Sequence, residues 1–293
     1  MEQTGRAEQL APGLRRILAP NPSAMTLHGT NTYLLGHGAL AVIDPGPDDK
    51  NHLAAIRRAL APGEWISHIL VTHSHLDHAP LARALSRETG APVLAFGDSS
   101  AGRRADLARL SGLGGGEGVD RAFRPDRTLA DGETVQAADW SVTALHMPGH
   151  MGNHLCFVWG DAVFTGDHVM AWASSMISPP DGDLGAYMKS LDALARRRDR
   201  VFYPGHGAPV TDPSARLAEL IAHRRSREAQ ILAALRAGPA DAATLTRAIY
   251  TDVDPALHPA ALRTVIAHLV DLINRKIVTA IGPLALDARF DLR

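Results

Sequence analysis

His73-Ser74-His75-Leu76-Asp77-His78 follows directly on the apolar run from Ile66 to Val71. A short apolar run reads as a buried strand, and the stretch beyond the histidines, with Leu81 and Leu85 at helical spacing, reads as a helix. Three histidines and one aspartate therefore share a strand-to-helix loop, where neither packing nor turn chemistry calls for them. Imidazole nitrogen and carboxylate oxygen are the ligands that suit a borderline cation such as Zn²⁺. Two further histidines, His150 and His206, stand in Pro-Gly-His turns, and between them Asp167 lies in Thr165-Gly166-Asp167-His168 just after a strand. Five histidines and two aspartates exceed the needs of one tetrahedral ion. They are the right number for two ions roughly 3.5 to 4 Å apart that share one carboxylate and one hydroxide.

Outward from that loop, Asn31 to Ile43 reads as a hairpin around Gly36-His37-Gly38, and Asp48-Asp49 opens a helix to Leu60. Val93 to Phe96 is a strand; residues 97–127 are rich in glycine and arginine and predict a mobile surface segment centred on 112–118. Strand-like runs return at Val135, Val142 to Leu145, Leu155 to Trp159, Ala162 to Phe164 and Val201 to Tyr203, with a helix over Leu184 to Arg198. From Pro213 the pattern turns helical: Leu217 to Leu235, a Gly238-Pro239 break, then Asp241 to Ile249 and Ala256 to Ile273. Ile277 to Ala280 and Ala285 to Asp287 close the chain as β-like segments. Helix, helix, helix, hairpin is the order of a winged helix, so two domains are expected, 1–212 and 213–293.

The 293 residues include fifteen histidines but only three lysines, Lys50, Lys189 and Lys276. A formal net charge of -1 gives no bulk electrostatic signal for nucleic acid. With 45% hydrophobic and 21% charged residues the chain matches globular averages. No apolar run reaches 18 residues and the N-terminus lacks a leader pattern, so a cytoplasmic protein without membrane contact is expected. Cys156, the single cysteine, reads as a buried, inert thiol. The lone histidines His28, His37, His52, His68, His223, His258 and His268 read as packing or surface residues.

His73-Ser74-His75-Leu76-Asp77-His78, with His150, Asp167 and His206 following in order, resembles the HxHxDH signature of metallo-β-lactamase fold hydrolases. The resemblance implies an α/β fold, a four-layer αβ/βα sandwich with the site at one sheet edge. It also implies that His73, His75 and His150 hold one metal, Asp77, His78 and His206 the other, and that Asp167 bridges them. Thr30-Asn31-Thr32-Tyr33-Leu34-Leu35-Gly36, Val42-Ile43-Asp44-Pro45-Gly46, Tyr187-Met188-Lys189-Ser190-Leu191 and His223-Arg224-Arg225-Ser226-Arg227-Glu228 are similar to the β-lactamase-like protein 2 branch. Members of that branch carry a winged-helix-like C-terminal domain, and some cut single-stranded RNA. Asn153 departs from the acidic residue that the branch has before its second histidine.

A metal-dependent hydrolase working through a metal-bridging hydroxide is therefore expected, with two Zn²⁺ ions, or Mn²⁺ or Fe²⁺ in their place. Asp77 would orient the nucleophile, and His168 is a candidate proton donor. His154, Asn31 and Trp172 are candidates for supporting or substrate-contacting positions. The apolar loop Met170 to Pro180 would line the mouth, and Arg224, Arg225 and Arg227 are candidate phosphate contacts. Single-stranded RNA is the leading substrate expectation. The alternatives are a small ester, thioester or lactone, and, in a different class, a nucleic-acid-binding module with a non-catalytic metal core. The Leu-rich tail would also permit a homodimer.

Overall fold

The computed structural model describes residues 3–108, 112–251 and 254–293. Seven strands form the first sheet in chain order: β1 (Ala7–Ala11), β2 (Leu14–Leu18), β3 (Asn31–Leu35), β4 (Ala39–Ile43), β5 (Trp65–Leu70), β6 (Val93–Ala95) and β7 (Arg127–Thr128). The pairs from β1 to β4 are antiparallel and those from β4 to β7 parallel. The second sheet holds β8 (Thr134–Gln136), β9 (Ser141–His146), β10 (Leu155–Trp159), β11 (Ala162–Gly166) and β12 (Val201–Pro204), with only β11 and β12 parallel. Helices α1 (Lys50–Arg58) and α2 (Leu81–Thr89) follow β4 and β5; a short α3 (Ala105–Ala108) follows β6, and α4 (Leu184–Ala195) and α5 (Pro213–Leu235) flank β12 in sequence.

Strands that are apolar on both faces must be covered on both faces. Between the sheets, Tyr33, Leu35, Ile43 and Leu70 meet Phe157, Phe164 and Tyr203. On the outer face of the first sheet Leu34, Val42 and Ile69 pack on Ile56, Leu81 and Leu85 of α1 and α2. On the outer face of the second, Cys156, Val163 and Phe202 pack on Tyr187, Leu191, Leu217 and Leu220 of α4 and α5. The result is the expected four-layer αβ/βα sandwich. Burial pushes the Cys156 thiol pKa up, as expected of an inert core cysteine.

A second body follows, built from the C-terminal half of α5 with α6 (Ala242–Ile249), α7 (His258–Asn274) and a small sheet of β13 (Ala240–Asp241), β14 (Val278–Ile281) and β15 (Arg289–Leu292) in the order β13-β15-β14. Asp212 and Asp241 cap α5 and α6 by accepting from Ala215 N and Thr244 N. The leucines on which the homodimer expectation stood, among them Leu235, Leu245, Leu269 and Leu272, fill this body's own core.

Three readings need correction. Residues 7–18 form two strands that the sequence hid, because Leu14-Arg15-Arg16-Ile17-Leu18 carries two arginines. Arg15 is neutralised by Glu64 at 2.8 Å and Arg16 by Glu8 at 2.6 Å, so both lie in the sheet without an unpaired charge. The last strand is Arg289–Leu292, not Ala285 to Asp287, since Phe290 is the side chain buried in the core. The segment 97–127 is packed rather than loose: Leu113, Val119 and Phe123 are buried, and Leu76 N donates to Gly118 O at 2.7 Å. Its residues 109–111 lie outside the described residues.

Among the described residues no helix is long and apolar enough to cross a membrane. His268 on α7 is buried, neither ring nitrogen has a hydrogen-bond partner, and burial together with nearby Arg224 pushes its pKa down to about 3. The unfolded chain thus takes up this proton first, near pH 6.5, while the folded chain does not. The His268 contribution is present above about pH 6.5 and is lost progressively as the pH falls from there towards about 3. In urea melts at pH 7 and pH 5, His268→Leu should lose less stability across that interval than the unsubstituted protein; equal losses would show that the ring titrates freely.

Candidate metal centre

Every residue of the signature set lies just beyond the C-terminal end of a strand. The loop His73 to His78 follows β5, His150 follows β9, Asp167 follows β11 and His206 follows β12. Ligands gather where strand ends leave a crevice in an α/β sheet. His73, His75, His150 and Asp167 offer atoms that all lie within 4.8 Å of one another, and so do Asp77, His78, Asp167 and His206. In the first group His75 Nδ1 is 3.0 Å from both His73 Nε2 and His150 Nε2. In the second, His78 Nε2 is 3.3 Å from His206 Nε2, and Asp77 Oδ2 is 3.2 Å from His206 Nε2. Asp167 stands between them: Oδ2 lies 3.7 Å from His150 Nε2, and Oδ1 lies 3.3 Å from both His78 and His206.

The outward nitrogens settle the tautomers. His150 Nδ1 donates to Met176 O at 2.7 Å and His206 Nδ1 to Gly29 O at 3.1 Å. His78 Nδ1 donates to Asp44 Oδ2 at 2.9 Å. Thr72 Oγ1 gives its own hydrogen to Asp44 Oδ2 and is left to accept from His73 Nδ1 at 3.0 Å. Four rings therefore turn their Nε2 atoms inward, where each offers a lone pair to a cation or takes up a proton in its place, as metal-binding imidazoles do when an outer acceptor holds the other N–H.

Lone pairs 3.0 to 3.3 Å apart repel unless a cation lies among them. Donor atoms about 2.0 to 2.1 Å from a tetrahedral ion stand about 3.3 Å from each other, which is the spacing found here. Gly205 leaves the needed room, because a Cβ there would stand 2.5 Å from Asp167 Oδ1 and 2.6 Å from His78 Cε1. Electrostatics agree. Burial alone would push His206 down, but the Asp167 and Asp77 carboxylates outweigh it and raise its pKa to about 9. Burial would likewise raise Asp77, yet His78 and His206 hold it at about 2. The donor set fits two divalent ions.

The other candidates fall differently. Asn31 is buried and donates to Pro204 O and Gly207 O, both at 2.9 Å, so it fixes the turn that carries His206 rather than meeting substrate. His154 is buried beneath the floor, its ring stacked 5.0 Å from that of His73. His168 does not reach the site: it is fully buried, its ring 4.7 Å from that of Tyr187, and it is absent from the cavity wall. The proton-donor expectation for it is corrected accordingly. Arg224 is buried, bonds Ser175 O and lies 5.3 Å over the Tyr187 ring; Arg227 lies 4.2 Å over Tyr250. Neither is a free phosphate contact. Asn153 Nδ2 donates to Ser74 Oγ at 2.9 Å and Asp98 O at 3.0 Å, tying the first loop down without a carboxylate.

Asp44 was missed as a site residue. It ends β4 in a left-handed conformation, φ 50°, and accepts from Thr72 N, Thr72 Oγ1 and His78 Nδ1 at 2.7, 2.7 and 2.9 Å. The visible signal was an aspartate before Pro45-Gly46 at a strand end. The floor opens into a cavity of about 610 Å³ with Met25, Leu76, Met170, Trp172 and Met176 in its walls. Its far wall comes from the C-terminal body, through Tyr250, Leu257, Ala260, Ala261 and Thr264.

Asp44→Asn puts an amide N–H where one of three donors now points. Metal affinity, read by competition with a chromophoric chelator, should fall about 10- to 100-fold while the folded content stays unchanged. An unchanged affinity would show that His78 is held without Asp44.

The metallo-beta-lactamase superfamily model matches residues 25–206, and a beta-lactamase associated winged helix domain matches residues 242–282. Lactamase-like protein adaB of Aspergillus niger is 34% identical over 232 residues, which cover 78% of this chain and 65% of that protein. An atrochrysone carboxyl ACP thioesterase of Aspergillus chevalieri is 32% identical over 233 residues, covering 78% of this chain and 68% of its own. The chain thus spans a little under two thirds of adaB. A metallo-beta-lactamase family protein from Thermus thermophilus superposes with a TM-score of 0.78 at 25% identity, over 97% of this chain and 100% of that one. A beta-lactamase domain protein from Burkholderia ambifaria does so with a TM-score of 0.82 at 22% identity, over 100% and 95%, a likeness of fold. With the signature loop, the paired His/Asp groups and a family match over most of the sandwich, the chain belongs to the metallo-beta-lactamase superfamily, with a beta-lactamase associated winged helix domain following.

Proposed function

We propose that this protein hydrolyses thioesters at a dinuclear metal centre. The observation that carries the proposal is the joining of two ligand groups through Asp167 at the floor of a cavity with apolar walls. The relatives named atrochrysone carboxyl ACP thioesterase point to the same bond. Thioester hydrolysis, stated from the sequence as an alternative, thus replaces cleavage of single-stranded RNA as the leading reading. Of the three arginines invoked for phosphate, Arg224 and Arg227 bond their own fold, and Arg225 is exposed and lines a different cavity from the one over the metal floor. The finer placement in the β-lactamase-like protein 2 branch rests on its sequence motifs alone, while the relatives named above carry other names.

In this reading His73, His75 and His150 hold one ion, Asp77, His78 and His206 the other, and Asp167 both. Zinc is our choice of metal, since neutral imidazole with carboxylate suits it. Bound there, the two ions would supply Lewis acidity and a water activated at neutral pH. Of the two carboxylates in the set Asp77 is the more exposed to the cavity, so it is placed to orient the attacking water. We keep the division at 212/213 as a proposal, with α5 packing its first half on the sandwich and its second half in the C-terminal body, which lines the cavity.

The test is metal content by mass spectrometry together with turnover of a thioester, a lactone and a fluorescent single-stranded RNA. About two ions per chain are expected, with thioester cleavage that stops on chelation and returns with Zn²⁺. Asp77→Ala should lower kcat by about 10²- to 10⁴-fold. RNA cleavage without thioester cleavage would return the assignment to the nuclease reading, and a folded protein that takes up no metal would end both.

A further inference from the structure

Six large apolar side chains are exposed among the described residues, and three of them, Met25 at 44%, Leu76 at 52% and Trp172 at 37%, line this one cavity. Isolated exposed hydrophobics are ordinary, but a cluster around a concave site marks a binding surface. Trp172 is seated on Gly207, where a Cβ would stand 2.8 Å from its ring, so the indole lies against the turn that carries His206. Across the cavity Tyr250 is held face-on by the Arg227 guanidinium at 4.2 Å. Two aromatic rings, each fixed from behind, thus flank the metal floor.

The charges in the wall tell what the cavity does not hold. Its arginines are engaged, Arg224 on Ser175 O and Arg227 on Gln230 Oε1 at 2.9 Å and Ile249 O at 3.1 Å. Glu117 is the acidic wall residue outside the ligand set, and His223 is held down by burial and the neighbouring Arg224. A thiol portion rich in phosphates or carboxylates meets, among these lining residues, only guanidiniums already turned onto carbonyls and rings of their own fold. An apolar group meets ring faces, thioethers and alanine methyls.

Building on the thioesterase reading, we propose that the cavity recognises the acyl portion of the thioester, that this portion is a bulky aromatic or multi-ring group, and that Trp172 and Tyr250 set the preference. The thiol portion stays outside the walls and is not read. A cavity of about 610 Å³ is of drug-ligand size, so an acetyl group would leave most of it to water, whereas a two- or three-ring acyl group would fill it. Its carbonyl sits at the floor; water adds to that carbon, the C–S bond breaks, and the thiolate takes a proton from solvent as the acid is released.

The experiment uses the zinc-loaded full chain with acetyl, hexanoyl, benzoyl and 2-naphthoyl thioesters of N-acetylcysteamine, and the same series on coenzyme A. Binding of the uncleavable 2-naphthoyl amide of N-acetylcysteamine is measured in parallel by calorimetry. From acetyl to naphthoyl kcat/KM should rise about 100-fold, mostly through KM, while exchange of the thiol changes it by less than about 3-fold. Tyr250→Ala and Trp172→Ala should each shrink the naphthoyl-over-acetyl preference about 10-fold and weaken the amide alike. Met25→Ser, on the exposed rim, serves as a second variant should the aromatic truncations disturb folding, and should raise the naphthoyl KM. A flat acyl series, or one governed by coenzyme A, overturns the inference and leaves the thioesterase reading standing. Tight amide binding without cleavage of any thioester upholds the acyl cavity and overturns that reading instead.

Discussion

The inward lone pairs of four imidazoles are the constraint around which the rest of this structure is arranged. Each depends on an N–H donated outward: His150 to Met176 O, His206 to Gly29 O, His78 to Asp44 and His73 to Thr72. Three of those acceptors come from distant parts of the chain, so the arrangement forms only when both sheets are in register. Asp44 shows the coupling best. Its carboxylate takes a ring N–H from one side and the Thr72 backbone and hydroxyl from the other, joining the ends of β4 and β5 through one buried anion. Its left-handed backbone costs about 1 kcal/mol or more, which those three charge-assisted hydrogen bonds offset.

The C-terminal body reaches the same ligands by a second route. Arg224 on α5 bonds Ser175 O; Arg263 on α7 donates to Ser178 Oγ at 2.9 Å and also bonds Pro179 O and Leu113 O. The strip between them carries Met176 O, the acceptor of His150, and Ser175 Oγ, which donates to Asp167 O and to His168 O. Two arginines therefore pin the loop that pins two ligands. This explains why both are turned away from solvent: a guanidinium meets several carbonyls at fixed angles, which a lysine could not do. The winged helix is part of the site's frame as well as its wall.

The two His/Asp groups were legible because three histidines and an aspartate in six residues have no other local explanation, and the later members stand in turns just after strands. Layer order was legible for a similar reason, since apolar runs and helical spacing are local signals. What could not be read was long-range. Arg15 and Arg16 disguised β2 because their partners, Glu64 and Glu8, lie elsewhere in sequence. Arg224 and Arg227 read as a solvent or phosphate face because the carbonyl and ring that engage them come from other elements. His168 read as a site residue by adjacency to Asp167, yet successive residues past a strand end point in opposite directions, and its ring went into the core with Tyr187. The glycines of 112–118 suggested looseness, but Gly115 is where Pro179 and Arg263 come too close for a Cβ, so there glycine serves contact instead of motion.

A floor of ionised groups under apolar walls follows from the physics of the site. Buried carboxylates and imidazoles are tolerable only when their charges are matched within a few ångströms, and the matching here is complete enough to hold Asp77 ionised at about pKa 2 despite burial. Walls bearing further free charge would compete for those partners. Walls of Met25, Leu76, Trp172 and Tyr250 do not, and by excluding water they strengthen every electrostatic contact on the floor. The same exclusion makes the walls a reader of shape and apolar area. In this fold the charge that would drive the chemistry and the surface that would choose the substrate are thus separated, the first held by strand ends and the second shared with the winged helix.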